Sequence, residues 1–142
     1  MDADECRRRL GAADHAYLAT TGSDAAPHIV PVAHALVDDQ VMLVVDDKPK
    51  RTRALRRLRN IAENPRVCLL VDAYQDDWTR LWWVRADAHA EVVAGGPRHH
   101  AAVDALALRY PAYRDRRPTG PVIVARVDRW TGWSASGGAS PR

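Results

Sequence analysis

Residues 80–93, RLWWVRADAHAEVV, alternate without a break. Trp82, Val84, Ala86, Ala88, Ala90 and Val92 fall on one side, and Arg85, Asp87, His89 and Glu91 on the other. Successive side chains of a strand point to opposite faces, so this is a long strand with one face in a core. Working outward, shorter apolar runs flank it at Tyr17–Thr21, Pro27–Leu36, Val41–Val45, Val67–Asp72 and Val122–Val127. Val67–Asp72 is almost continuously apolar and reads as a central strand. In Pro27–Leu36, Val30, Val32 and Leu36 share a face with His28 and His34, while Ile29, Ala33 and Ala35 take the other. Pro31 has no N–H for a ladder, which places its strand at an edge or a bulge. Gly22-Ser23-Asp24 and Asp38-Asp39 supply turn chemistry.

Three stretches have helical spacing: 4–14, Arg53–Glu63 with Leu55, Leu58 and Ala62, and Arg98–Tyr110 with Val103, Leu106 and Ala107. Asn64-Pro65 and Gly95-Gly96-Pro97 punctuate them. Six antiparallel strands with two or three helices predict a mainly β fold, a closed or split β-barrel with flanking helices. One domain over 1–142 is expected, with residues 1–16 carrying the N-terminal helix and 134–142 forming a flexible tail.

The chain has 142 residues, 46% hydrophobic and 27% charged, enough for a proper core. No apolar run approaches the ~20 residues of a membrane span, and the N-terminus lacks a signal peptide's apolar region. Cys6 and Cys68 form no CxxC pair and read as free thiols, so a cytoplasmic protein is expected. The net charge is +3. Of 21 Lys and Arg residues only Lys48 and Lys50 are lysines, which hints at a local need for a compact ammonium.

Lys48-Pro49-Lys50-Arg51-Thr52-Arg53-Ala54-Leu55-Arg56-Arg57-Leu58-Arg59 holds seven basic residues and no acid. Cations at a helix N-terminus oppose the helix dipole. A bound anion relieves that conflict, and free N–H groups beside Lys and Arg are a common phosphate cradle. Lys48, Lys50, Arg51 and Thr52 therefore read as an anion site stiffened by Pro49. Arg53, Arg56 and Arg59 read as a solvated face. Trp78, Trp82, Trp83, Trp130 and Trp133 offer flat surfaces for a planar ring or for core packing, with Trp82 and Trp83 on opposite faces. His28 with His34, and His99 with His100, lack chelating geometry. No HExxH, GxSxG, Walker or GxGxxG pattern occurs, so neither a hydrolase nor a metal site is expected.

LATTGSDAAPHIVPVAH (18–34), VVDDKPKRTRALRRLRNIAENPRVCLLVDAYQDDW (44–78) and LWWVRADAHAEVV (81–93) together resemble the split-barrel flavin and deazaflavin oxidoreductases. This is the pyridoxamine 5'-phosphate oxidase-like superfamily, and the resemblance is closest to its actinobacterial F420-dependent branch. It runs from about Tyr17 to Val93 and continues more weakly to Trp133. The resemblance implies a homodimer with two cofactor sites at its interface. It implies that Lys48, Pro49, Lys50, Arg51, Thr52, Arg57 and Asn60 hold the cofactor phosphate. The ring would lie along His28, Ile29, Val30 and Pro31, with Trp78 as an aromatic neighbour. The implied chemistry is hydride transfer between F420 and an unsaturated small organic substrate. The cofactor carries that reaction, so no catalytic side chain is assigned. Flavin mononucleotide (FMN) is the alternative cofactor; the acidic tail of F420 suits extra basic residues such as Arg56 or Arg80. A non-enzymatic cofactor carrier is the other reading, and nucleic-acid binding is disfavoured for want of a motif. Vitamin B6 oxidases end in an Arg-Leu-x-Pro-like segment, whereas this chain ends GGASPR. Residues 73–79 and 111–120 are the expected substrate loops.

Overall fold

The computed structural model describes residues 1–45 and 51–137, and the backbone alone for residues 51–55. Its helices are α1 (Ala3–Ala12), α2 (Arg51–Glu63), α3 (Pro97–Arg109) and α4 (Pro111–Asp115). Its strands are β1 (Ala16–Thr21), β2 (Pro27–Val32), β3 (Ala35–Val37), β4 (Gln40–Val44), β5 (Arg66–Ala73), β6 (Trp82–Val93) and β7 (Val122–Ser134). They form a seven-stranded sheet in the order β2-β1-β5-β6-β7-β4-β3, antiparallel at every junction.

The order dictates the shape. β2 and β3 stand at opposite edges, yet only Ala33 and His34 separate them in the chain. Six strand spacings of about 4.8 Å put the edges of a flat sheet about 29 Å apart. Three Cα steps reach about 11 Å. The sheet must curl until its edges meet, and the fold is the split half-barrel that the alternating strands predict.

Inside the curl lies a core of Leu18, Val41, Leu43, Leu69, Val71, Val84 and Ile123, filled from α1 by Cys6 and Leu10 and from α2 by Leu58 and Ile61. Gly132 admits α1 to β7: a Cβ there would meet Met1 Sδ at 2.6 Å and Cys6 Sγ at 2.7 Å. A second core joins Ala102, Val103 and Leu106 of α3 to Ala35, Met42, Val122 and Val124. The convex side chains of β1, β2 and β5 include Tyr17, Ile29, Pro31, Cys68 and Leu70, and Ile29 is 64% exposed.

The structure corrects several expectations. Pro27–Leu36 is two strands on opposite edges, which raises the count from six to seven. At the break His34 is buried, its backbone N–H donates to the Tyr110 hydroxyl, and its Nε2–H donates to Leu10 O at 2.7 Å. The last strand continues past Val127 to Ser134, because a bulge interrupts its pattern: Asp87 pairs with Arg129 and Ala88 with Val127, leaving Asp128 over. The strand expected from Arg80 begins at Trp82, since Asp77 caps a 3₁₀ turn over Trp78–Arg80. Val92 is 39% exposed, and Val93 turns to the second core instead. Cys68 is half-buried on the convex face. α4 occupies the start of the expected loop 111–120. Of the expected flexible tail, Ser134 closes β7 and Ala135–Gly137 form a 3₁₀ turn, while 138–142 lie outside the described residues. No described helix is long and apolar enough to cross a membrane.

Candidate functional site

The β1–β2 hairpin and α2 meet at one end of the half-barrel. Two side-chain contacts fasten them. Asn60 Nδ2 donates to Thr20 Oγ1 at 3.0 Å, with both residues buried. Glu63 Oε1 accepts from the Ser23 backbone N–H at 2.8 Å and its hydroxyl at 3.0 Å. Those two donors hold the Glu63 carboxyl below its ordinary range. Gly22 permits the approach: a Cβ there would lie 2.6 Å from Glu63 Oε1 and 2.8 Å from Asn60 Oδ1.

The same fastening positions two guanidinium groups and an imidazole. Residues three and four apart on a helix stack on one face. One turn before Asn60 that face carries Arg56 and Arg57, both half-buried. Across the hairpin, Thr20 pairs with His28. His28 is therefore brought beside the two arginines. Burial first, then the charges of Arg56 and Arg57, push the His28 imidazole below its ordinary pKa. His28 Nδ1 and Arg56 Nε are each buried with no hydrogen-bond partner. A buried unpaired polar atom is costly; Arg56 Nε–H suits a negatively charged acceptor, and His28 Nδ1 does so when it carries a proton. Among the described residues, Glu63 is engaged by Ser23, and Asp24 by the Ala26 N–H at 3.1 Å. The cluster thus sets two unpartnered buried nitrogens beside two guanidinium groups.

Residues 3–134 match the pyridoxamine 5'-phosphate oxidase family. The chain belongs to that family. No curated protein matches it. Among solved structures it is similar to the conserved hypothetical protein Rv2991 from Mycobacterium tuberculosis, at 22% identity and a TM-score of 0.73, over 100% of this chain and 91% of that one. It is similar to a FAD-binding protein from Mesorhizobium loti, at 21% identity and a TM-score of 0.68, over 93% of this chain and 94% of that one. It is also similar to HutZ, a heme storage protein from Vibrio cholerae, at 13% identity and a TM-score of 0.68, over 92% and 90%. At these identities the likeness is one of fold.

Within this pyridoxamine 5'-phosphate oxidase family chain, the residues singled out from sequence are distributed as follows. Lys48, Pro49 and Lys50 lie outside the described residues. Arg51 and Thr52 open α2. Arg57, Asn60 and His28 come together as above. Val30 is half-buried on the concave side with His28, while Ile29 and Pro31 face outward, so the four β2 residues do not share a face. Trp78 is 68% exposed and stands beyond the far end of β5. Tyr17 pairs with Leu70 and Ala19 with Cys68, so that end of β5 is the one remote from Thr20 and His28. One chain does not bring Trp78 to His28.

The position of Arg56 beside His28 is one that the sequence reading did not foresee. Arg56 reads as part of a solvated face, but it shares the buried stripe of Asn60. The signal available was its spacing of four from an asparagine inside a run without acids. Three other tryptophans are engaged by arginines: Arg9 lies over Trp82 at 4.8 Å, Arg85 over Trp83 at 5.6 Å and Arg7 over Trp130 at 5.5 Å. Among the described residues no group of His, Cys, Asp and Glu is arranged to hold a metal ion. At the Trp78 end, a hollow of about 260 Å³ is lined by Asp14, His15, Tyr17, Val71, Asp72 and Trp82.

Proposed function

We propose that the chain is an oxidoreductase that binds a phosphate-bearing flavin or deazaflavin cofactor at the junction of β2 and α2. F420 is the favoured cofactor, because its acidic tail matches the excess of arginine; FMN is the alternative. The observation that carries the reading is the His28–Arg56–Arg57 cluster, with two buried nitrogens that lack an acceptor. A cofactor phosphate supplies that acceptor. The membership in the pyridoxamine 5'-phosphate oxidase family and the FAD-binding neighbour support the same class of ligand.

When bound, the tricyclic ring supplies hydride transfer to or from an unsaturated substrate. The chain's own residues bind and orient. Arg56 and Arg57 hold the phosphate, Asn60 and Glu63 hold α2 in place, and Lys48, Lys50, Arg51 and Thr52 of the basic run add to the anion site. β2 offers Val30 on one side and Ile29 with Pro31 on the other as apolar surface for the ring. A second copy of the chain is proposed to cover the convex face that carries Tyr17, Ile29 and Leu70. Such an arrangement brings a partner's residues to the cofactor and encloses the ring from water.

The test is a titration of the protein with F420 and, separately, FMN, followed by ligand and tryptophan fluorescence. It is repeated with Arg56→Gln and Lys50→Ala. A charge-assisted hydrogen bond contributes about 1.5–3 kcal/mol, so Arg56→Gln should weaken binding about 10–100-fold. Preference for FMN moves the reading to the alternative cofactor. The HutZ neighbour favours a second reading as a carrier, which tight binding without turnover of any reductant would support. Failure of both ligands to bind ends the cofactor assignment.

A further inference from the structure

The clamp between α2 and the hairpin brings His28, Arg56 and Arg57 together. Asn60 binds Thr20, and Thr20 pairs with His28 across the hairpin. The imidazole is thus held close to two guanidinium charges. Arg56 Nε–H can only donate, and it has no acceptor. His28 Nδ1, also without a partner, donates when it carries a proton. Among the described residues, the charged groups on the elements packed near His28 are as follows. α2 presents Arg56 and Arg57, with Glu63 further along and spent on Ser23. β1 presents Thr20, which is uncharged and holds Asn60. The hairpin turn presents Asp24, spent on Ala26. None of these carboxylates is bonded to His28.

We propose that this site takes its anion together with a proton: His28 enters the complex as imidazolium, and its Nδ1–H and the Nε–H of Arg56 donate to one oxyanion. The inference rests on the reading of this cluster as an anion site and adds its coupling to pH. Solvent supplies the proton; one N–H bond forms, and nothing is oxidised or reduced. Before the anion arrives, burial and then the two guanidinium charges disfavour the imidazolium. The anion cancels that repulsion, so its affinity rises as pH falls through the interval between the free and bound titrations of His28. An arginine in place of His28 would bind without that dependence. The ligand chemistry is an oxyanion, either a cofactor phosphate or a free inorganic ion.

The experiment follows the His28 ring proton of the full chain by NMR from pH 5 to 8.5, in saturating sodium sulfate and in sodium chloride of matched ionic strength. His28→Gln assigns the signal, and sulfate does not titrate in this range. The expected result is a pKa raised by about one unit or more in sulfate, equivalent to about tenfold tighter binding to the protonated form. Sulfate affinity should tighten with falling pH in the parent and be flat in His28→Gln, whose amide still donates. In Arg56→Gln the sulfate-free pKa should rise and the sulfate shift shrink. Identical titrations in the two salts, or an unchanged pH slope in His28→Gln, would overturn the proposal. Repeating the titration with FMN and with riboflavin separates the two readings. FMN that binds without moving His28 overturns the proton coupling and leaves the cofactor assignment standing. A sulfate shift with no flavin or deazaflavin bound does the reverse.

Discussion

Gly22 sits where a methyl group would press on two oxygens at once, Glu63 Oε1 and Asn60 Oδ1. Glu63 can swing away, but only by releasing both Ser23 donors, and the Asn60 amide is buried. Gly22→Ala should therefore cost about 1–3 kcal/mol and lower the melting temperature by about 3–10 °C. Gly95→Ala is the control, since a Cβ there meets nothing within 4 Å, and it should be neutral. An unchanged melt for Gly22→Ala would mean that the clamp does not matter. Cys68 makes a second prediction at this scale. Burial first, and then Asp87, whose Oδ1 accepts from its thiol at 3.6 Å, push the Cys68 pKa up to about 11. At pH 8 its thiolate fraction should be about 100-fold below that of an ordinary cysteine. Iodoacetamide should label it correspondingly slowly, and Asp87→Asn should speed the reaction; fast labelling of the parent would refute the buried thiol.

α2 acts as a bolt across the β1–β2 hairpin, and its register decides which side chains meet. Asn60 was expected to hold phosphate; its Nδ2 donates to Thr20, a bond that also sets where Arg56 and Arg57 stand. At the same scale, β2 is an edge strand whose outward Ile29 is 64% exposed, with Tyr17 and Leu70 on the same convex face. A charge there leaves the fold intact but opposes burial against a second copy. Ile29→Glu should keep the parent's circular dichroism and convert a dimer to a monomer in light scattering. A parent that is already monomeric would rule out the proposed arrangement. The aromatic signal was legible as five tryptophans but not as roles, because arginines elsewhere in the chain decide which indole faces are free. Arg9 reaches Trp82 from α1, and Arg7 reaches Trp130.

For the whole molecule, closure of the half-barrel depends on the short link at Ala33 and His34. His34 is fully buried, and burial pushes its pKa below the ordinary value, helped by Arg109 and His15 and opposed by its bond to Leu10. The unfolded chain has His34 near pKa ~6.5 and so binds more protons than the folded chain below that pH. Its stabilisation is full above about pH 6.5 and is lost as pH falls towards the depressed folded value. His28, also lowered, acts in the same direction. Melting temperature should be flat from pH 8 to 7 and fall from about pH 6.5 to 5, before carboxylates titrate. His34→Gln should melt lower at pH 8 but flatten that fall; an equally steep fall in the variant would assign the protons elsewhere.

The amino-acid sequence by itself determined the strands and helices whose patterns are local. Alternation over 82–91, the turn at Gly22-Ser23-Asp24, the stop at Asn64-Pro65 and the edge role of Pro31 follow from side-chain period and backbone chemistry. It also marked the basic run from Lys48 to Arg59, because charge is additive along a chain. The tertiary structure decided what depends on distant partners. The break between β2 and β3 exists because His34 finds Leu10 and Tyr110, more than twenty residues away on either side. The extension of β7 rests on its partner β6 and a bulge at Asp128. Arg56 joins His28 because α2 is clamped onto a hairpin forty residues earlier in the chain. Periodicity tells which face of an element is apolar, but the neighbour that face meets is fixed only when the whole sheet curls and closes.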